Sequence, residues 1–323
     1  MSGLAKYTIR RVLALAPMLL GISLLLFILM NAAPGGPEYV IIGDLGFYSP
    51  DLVEQIRQEF GLDKPVLVRY WIWLGNALRG NFGVSTTSVG GVKVLPLITE
   101  RFLPTVQLTS VSLIAAILLG VPLGIFSAVR RYTALDKVIT LVAFTGICIP
   151  TFWLGVMLIL VFSLVLGWLP PSGMAPAGVE STLAVRLSHL VLPTITMATV
   201  QVGRYMRFTR SSILEVLRED YIRTARAKGL SERVVLYKHA LRNAMIPIVT
   251  IIGFSLPALI GGSVLVETIF AWPGLGRLAV TAITRRDYAI VMAVQLVIAC
   301  STLLANILVD VVYAIIDPRI TYA

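Results

Sequence analysis

Long apolar runs separated by short polar stretches dominate this chain. Six of the runs are long enough to cross a bilayer, at approximately 9–31, 104–129, 138–166, 190–209, 244–269 and 288–315. A helix of roughly 20 apolar residues suffices for a crossing. Backbone groups in hydrocarbon must be satisfied within their own segment, so each run is expected to be helical. The polar stretch between the fourth and fifth runs breaks the pattern most, carrying Arg223, Arg226, Lys228, Arg233, Lys238 and Arg242. Two short helices are predicted there. One ends at Gly229, a residue suited to the left-handed position after a helix. The next starts at Ser231, a good N-cap, with Glu232 at the positive end of the dipole. Such a structured polar hairpin predicts a docking element for a soluble partner rather than a slack linker.

Between the first and second runs lies a longer polar segment, opened by the turn signal Pro34-Gly-Gly-Pro37. Helices are predicted at Asp51–Phe60 and Lys64–Leu78. In the second of these, Tyr70, Trp71 and Trp73 suit anchoring at headgroup depth. Within the second run, Gly120 and Gly124 form a small-xxx-small pair that permits close helix approach, and Pro122 predicts a kink. Pro150, Pro193, Pro247 and Pro257 interrupt later runs, as do Gly146, Gly155 and Gly253. Such breaks suit bending and cavity lining, and they also occur in inert helical packing.

Composition agrees with a membrane protein: 57 % of the 323 residues are hydrophobic and 14 % charged, with mean hydropathy +0.87. The net charge of +10 would suggest nucleic acid if it were spread evenly. It is not. With the N-terminus cytoplasmic, one side collects 17 of the 27 basic residues and six acidic ones, a net of +11. Positive charge concentrated on one face marks that face as cytoplasmic and excludes a nucleic-acid reading. Arg10-Arg11 followed by an apolar run resembles a signal peptide. The run from Val12 to Met30 is longer than a signal core, and Asn31-Ala-Ala33-Pro34 is a poor cleavage site, so a retained first helix is expected.

The inventory for catalysis is thin. Cys148 and Cys300 are isolated in apolar runs, and the two histidines, His189 and His239, lie far apart in sequence. No His-Glu-x-x-His helix and no Gly-Lys dipeptide occur, which removes a zinc-hydrolase helix and a phosphate-cradling Walker loop. Any ATP chemistry must therefore come from another chain. Charge within a bilayer is costly and usually purposeful. Glu267 and Asp310 are the acidic residues placed inside the runs, and Asp310 shares a helix face with Asn306. A proton relay is one reading; carboxylates bonded to backbone or arginine at helix ends is the other.

The island Tyr221-Ile-Arg-Thr-Ala-Arg-Ala-Lys-Gly229-Leu, followed by His239-Ala-Leu-Arg-Asn-Ala-Met-Ile-Pro247, resembles the "EAA" loop of bacterial ATP-binding-cassette importer permeases. More narrowly, the chain resembles the dipeptide/oligopeptide permease family, as the first of two paired subunits. Supporting motifs run along the whole chain: Phe60-Gly-Leu-Asp-Lys-Pro65, Leu78-Arg-Gly-Asn-Phe-Gly83, Glu267-Thr-Ile-Phe-Ala-Trp-Pro-Gly-Leu-Gly276, Arg286-Asp-Tyr288 and Asp317-Pro-Arg319. One departure is that the leading Glu of the loop consensus is Thr224.

The resemblance implies an all-α membrane protein with six transmembrane helices, a type I importer permease fold with a cytoplasmic coupling helix and an external segment after the first helix. Its divisions would be 1–31 (first helix), 32–103 (external segment with short helices), 104–316 (core transmembrane domain, including the coupling loop 210–243) and 317–323 (cytoplasmic tail). The coupling element would dock in a groove of an ATPase through Tyr221, Thr224, Ala225, Ala227, Gly229, Leu230 and Val234, with Tyr237 and Leu241 as further apolar anchors. A permease interface or gate would involve Glu267, Trp272, Pro273, Gly274, Asp287, Asn306 and Asp310, with the Trp272-Pro273-Gly274 loop and the external segment meeting an external binding protein. Implied partners are a homologous second permease, two ABC ATPases, an extracytoplasmic peptide-binding protein, a peptide cargo and membrane lipids. This chain would bind no cofactor and catalyse nothing, ATP and Mg belonging to the ATPases. Both termini would be cytoplasmic, in a bacterial inner membrane. Rival readings are the same architecture carrying nickel, glutathione or a haem-like compound, and a self-sufficient proton-coupled carrier.

Overall fold

The computed structural model describes residues 3–32, 63–85, 91–176, 182–257, 259 and 262–316. The predicted turn at Pro34–Pro37, the predicted helix Asp51–Phe60 and the tail from Asp317 lie outside the described residues, as does the side chain of Asp310. Among the described residues the regular structure is helical, apart from one isolated antiparallel bridge between Val84 and Lys93. In chain order the helices are α1 (Gly3–Ala32), α2 (Val66–Leu78), α3 (Val94–Val129), α4 (Ala134–Cys148) and α5 (Thr151–Leu158), which continues as π-helix over Ile159–Val165. Then follow α6 (Leu183–Val216), α7 (Asp220–Ala227) and α8. The last of these joins Glu232–Val234, a π-helical stretch Val235–Ala240 and Leu241–Ser255. The chain closes with α9 (Val264–Ile269), α10 (Leu275–Thr284) and α11 (Tyr288–Ile316).

Among the described residues four helices are long and apolar enough to cross a membrane, within α1, α3, α6 and α11, and the bent pair α4–α5 makes a fifth if it is counted as one span. The third apolar run is not one straight helix. It bends by 102° between α4 and α5, because Ile149 takes the extended conformation that the following Pro150 demands (φ −70°, ψ 126°). The expected single helix over 244–269 is also corrected. α8 stops at Ser255, just before Pro257, and α9 starts afresh behind Ser263, whose hydroxyl accepts the Val266 N–H at 3.3 Å. At the other boundary, α3 begins ten residues ahead of the apolar run expected at 104.

The chain divides into two compact units. The first comprises residues 1–105 and 273–323. Here Tyr70 of α2 is buried against α1, its hydroxyl 2.9 Å from Ser23 Oγ and its ring edge-on to Phe27 at 5.6 Å. Trp71 stays exposed. Val94 and Ile98 at the start of α3 pack with Leu275, Leu278, Ala282, Ile290 and Val294 of α10 and α11. Gly274 has no side chain to cap α10, and Thr105 does so instead, its hydroxyl accepting the Leu275 N–H at 2.8 Å.

The second unit, residues 106–272, is organised around α6. Small residues let α3 and α4 approach it. A Cβ placed on Gly124 would stand 2.5 Å from Thr209 Cβ and 2.6 Å from the Met206 carbonyl; on Gly120 it would stand 2.9 Å from Tyr205 Cβ. From α6 itself, Gly203 admits the Ala143 carbonyl. Without a hydrophobic drive between helices in lipid, such close packing is what holds them together. Gly124→Ala should therefore destabilise the protein by roughly 1–3 kcal/mol. Gly21→Ala in α1, where an added Cβ meets nothing outside its own helix among the described residues within 4 Å, should be neutral or mildly stabilising. Thermal unfolding of both variants in mild detergent checks the pair; equal behaviour would contradict the close-packing account.

Candidate functional site

The polar hairpin between α6 and the membrane-facing part of α8 is built by local chemistry. Glu219 stands extended at the N-cap of α7 (φ −67°, ψ 148°), with Asp220 in the first turn and Arg226 in the last, both matched to the helix dipole. The helix ends as expected. Gly229 adopts φ +77°, and the N–H groups of Lys228 and Leu230 return to the carbonyls of Thr224 (3.1 Å) and Ala225 (3.4 Å). Ser231 occupies the N-cap position of α8, but its side chain makes no capping bond. Glu232 instead turns back on α7, accepting from Arg226 Nε at 2.8 Å and Nη2 at 3.3 Å. That guanidinium holds the Glu232 carboxyl below its ordinary pKa. The pair is exposed, so its worth is geometric: it closes the hairpin.

Helical periodicity divides the hairpin into two faces. Ile222 and Ala225 of α7 and Val235 and Ala240 of α8 are buried together, backed by Val216, Leu217 and Leu236. Tyr221, Thr224, Ala227, Gly229, Leu230 and Val234 lie exposed, with Tyr237 beside them at 63 %. Ala225 is thus corrected from an outward anchor to part of the inner seam. Leu241 is half-buried, packing with the cluster of Ala128, Ile213 and Ala244. Beyond its two chain neighbours, a Cβ added to Gly229 would meet no heavy atom of the described residues within 4 Å; what requires glycine in the chain itself is the left-handed backbone. Across the two helices, Asn243 Nδ2 donates to the Tyr221 hydroxyl at 2.9 Å.

Beneath the hairpin lies a polar lock that sequence reasoning missed. Asp136, 4 % exposed, accepts from Arg210 Nε (3.1 Å) and Nη2 (3.0 Å), from the Tyr132 N–H (2.9 Å) and from Ser127 Oγ. Arg210 also donates to Ser127 Oγ at 3.0 Å. One carboxylate therefore ties the end of α3, the turn at Tyr132 and the start of α4 to α6. It also satisfies the N–H of Tyr132, a non-glycine residue at φ +66°. An Asp three residues after Thr133 signals a helix start. Nothing local signals a partner 74 residues away.

The residues expected at a gate fall into both units. In the second unit, Glu267 and Trp272 are fully buried, and the Trp272 N–H donates to the Glu267 carbonyl at 2.8 Å. The Trp272 ring packs with Leu108, Leu192, Val266 and Phe270, so the side chain is core and not a loop tip open to a binding protein. In the first unit, Gly274 is buried and Pro273 half-buried. Asp287 precedes α11, accepting from the Ile290 N–H at 3.2 Å and from Ser85 Oγ at 2.5 Å. It thereby joins the Ser85 loop to α11. Asn306 is exposed on α11.

Comparison with known proteins follows from this architecture. Residues 120–322 match the family described as binding-protein-dependent transport system inner membrane component, and residues 4–109 match the N-terminal family of the same systems. The oligopeptide transport system permease protein AppB of Bacillus subtilis (strain 168) is 45 % identical over 319 residues, covering 99 % of this chain and 100 % of that one. The glutathione transport system permease protein GsiC of Escherichia coli (strain K12) is 42 % identical over 317 residues, covering 98 % of this chain and 99 % of that one. In structure, the chain resembles the inward-facing MetNI methionine ABC transporter. TM-scores are 0.51 and 0.56 in two crystal forms, at 20 % and 18 % identity, covering 68 % and 69 % of this chain and 96 % and 98 % of those chains.

Proposed function

The chain belongs to the family of binding-protein-dependent transport system inner-membrane components, a multi-pass membrane protein, and from that premise we propose that it is the peptide-translocating permease subunit of an ATP-driven importer. The observation that carries this reading is the two-faced hairpin. Its inner seam of Ile222, Ala225, Val235 and Ala240 makes it a stiff unit packed on its own chain. Its outer face leaves Tyr221, Leu230, Val234 and Tyr237 without cover. An amphipathic helix with apolar residues presented to water suits insertion into a groove of a soluble partner. A stiff hairpin transmits displacement, where a slack one would absorb it.

In this reading two ATPases hold the ATP and Mg and grip the hairpin of this chain and that of a homologous second permease. Their closure moves the spans between two states through differential contacts, giving alternating access. An external binding protein delivers the cargo. Both termini and the hairpin are cytoplasmic, in keeping with the net charge of +11 on that side. The chain itself performs no catalysis. Asp136–Arg210 holds the cytoplasmic ends of α3, α4 and α6 together, so that a push on the hairpin reaches three helices. Asp287, fully buried and bonded both to Ser85 and to the first turn of α11, acts as a fixed polar joint.

Peptide is preferred as cargo because AppB, an oligopeptide permease, matches over its whole length. The test is uptake into proteoliposomes containing both permeases and both ATPases, with binding protein outside and ATP enclosed. Labelled oligopeptide should accumulate only when every component and ATP are present. Accumulation of glutathione but not oligopeptide would reassign the cargo. Accumulation by this chain alone, driven by a proton gradient, would overturn the reading.

A further inference from the structure

The geometry points to a binding site for the phosphate headgroup of an anionic phospholipid, in a cavity of about 310 Å³ between the hairpin and the end of α3. Its rim is cationic: Arg131, Arg218, Arg226 and Arg233 converge there, against the single carboxylate of Glu232. Arg226 already serves Glu232. Arg131, Arg218 and Arg233 hold no carboxylate among the described residues, and the Arg131 guanidinium lies above the ring of Tyr132, at 5.6 Å. Three guanidiniums that make no ion pair among the described residues, brought together by three separate elements, repel one another unless an anion joins them, although Glu215 and Glu219 line a neighbouring cavity with Arg218. The forked donors of arginine match phosphate oxygens.

The remainder of the lining selects the source of that phosphate. It is apolar, formed by Val129, Leu217 and Leu236. Val129 is the last residue of a membrane-length helix and stands 48 % exposed. The cavity therefore opens where a span leaves the hydrocarbon, the depth at which headgroups lie. An amphiphile fits both walls, whereas free phosphate uses only one. Basic pockets at span ends on one membrane face are a recurrent arrangement for anionic headgroups. The inference depends on neither the cargo nor the orientation proposed above, since it needs only a membrane at the end of α3.

The assembled importer, purified with its ATPases in mild detergent, is the material for the test. Native mass spectrometry reads bound lipid after titration with phosphatidylglycerol or phosphatidylcholine. Phosphatidylglycerol should be retained preferentially. The triple variant R131Q/R218Q/R233Q should weaken it roughly tenfold or more, since each basic residue near a charged bilayer surface contributes about a fivefold factor. The triple Lys variant, which keeps the charge, should retain most of the preference, showing that a failure of the Gln variant is not one of folding. Equal retention of both lipids would overturn the proposal. So would an undiminished preference in the Gln variant, or displacement of the lipid by inorganic phosphate, which would assign the site to a free anion. Loss of the ATPases rather than of lipid from the Gln variant would make the rim a protein contact, and would equally sink it.

Discussion

Asp136→Ala should destabilise the protein by about 2–4 kcal/mol, because it strips the partner from a mostly buried guanidinium. The figure sits below the upper range for buried pairs because the Arg210 side chain keeps 27 % exposure, so water recovers part of the loss. Three further groups lose their acceptor: Ser127 Oγ, the Tyr132 N–H and, more weakly, Thr140 Oγ1 at 3.4 Å. Tyr132 suffers most, since its left-handed backbone is held by that bond. Asp136→Asn keeps one oxygen for Ser127 or Tyr132 and should cost less. The double variant Asp136→Ala/Arg210→Met should recover at least half of the loss, because no uncompensated charge remains and the Met stem fills the arginine's path. Unfolding midpoints in one detergent, read as a double-mutant cycle, decide the matter. A single variant as stable as the parent, or a double variant as poor as the two singles summed, would show that the cluster is not a lock.

What the sequence disclosed and what it concealed divide along physical lines. Local chemistry was legible. Gly229 at a left-handed helix end, the start of the next helix at Ser231 and the Gly120/Gly124 contact stripe all follow from short-range rules, and the structure shows each of them. Hydropathy marked the apolar runs but not their continuity. Pro150 bends one run by 102°, and the stretch around Pro257 divides another, because in a bundle neighbouring helices can satisfy the backbone groups a break exposes. A hydropathy window is blind to that. The faces of the hairpin were only half legible. Ala225 reads as a small outward residue, yet it shares the seam with Ile222 and Val235, since α7 folds onto α8 and not onto the membrane. Trp272 likewise opens the turn-like motif Trp272-Pro273-Gly274, and aromatic residues at turns suit contacts; here the ring fills a core pocket. Asp136 and Arg210 are brought together only by the packing of α4 on α6, and a single sequence holds no record of such a pairing.

Gly229→Glu is expected to cut the ratio of transported cargo to hydrolysed ATP by at least tenfold, while leaving the protein in the membrane and the ATPases turning over. The reason is the contrast between what the glycine does for its own chain and where it sits. Its φ of +77° means that most side chains, Asn and Asp excepted, cost roughly 1–2 kcal/mol of backbone strain. Beyond the two chain neighbours, no heavy atom of the described residues lies within 4 Å of an added Cβ, so the hairpin itself has room for the substitution. The inner seam, one turn away, is untouched. The new carboxylate would emerge instead among Ala227, Leu230 and Val234, on the face proposed to enter an ATPase groove. An unpaired charge desolvated at such a centre commonly costs about 2 kcal/mol or more of binding. Two controls separate strain from contact. Gly229→Asn, which tolerates the left-handed conformation, should keep most of the coupling, and Gly229→Ala should lose only what strain removes. Uptake and ATP hydrolysis measured together in proteoliposomes provide the ratio. A Glu variant that transports like the parent would remove the hairpin tip from the interface. An Ala variant as uncoupled as the Glu variant would place the requirement in the backbone turn rather than in the surface it presents.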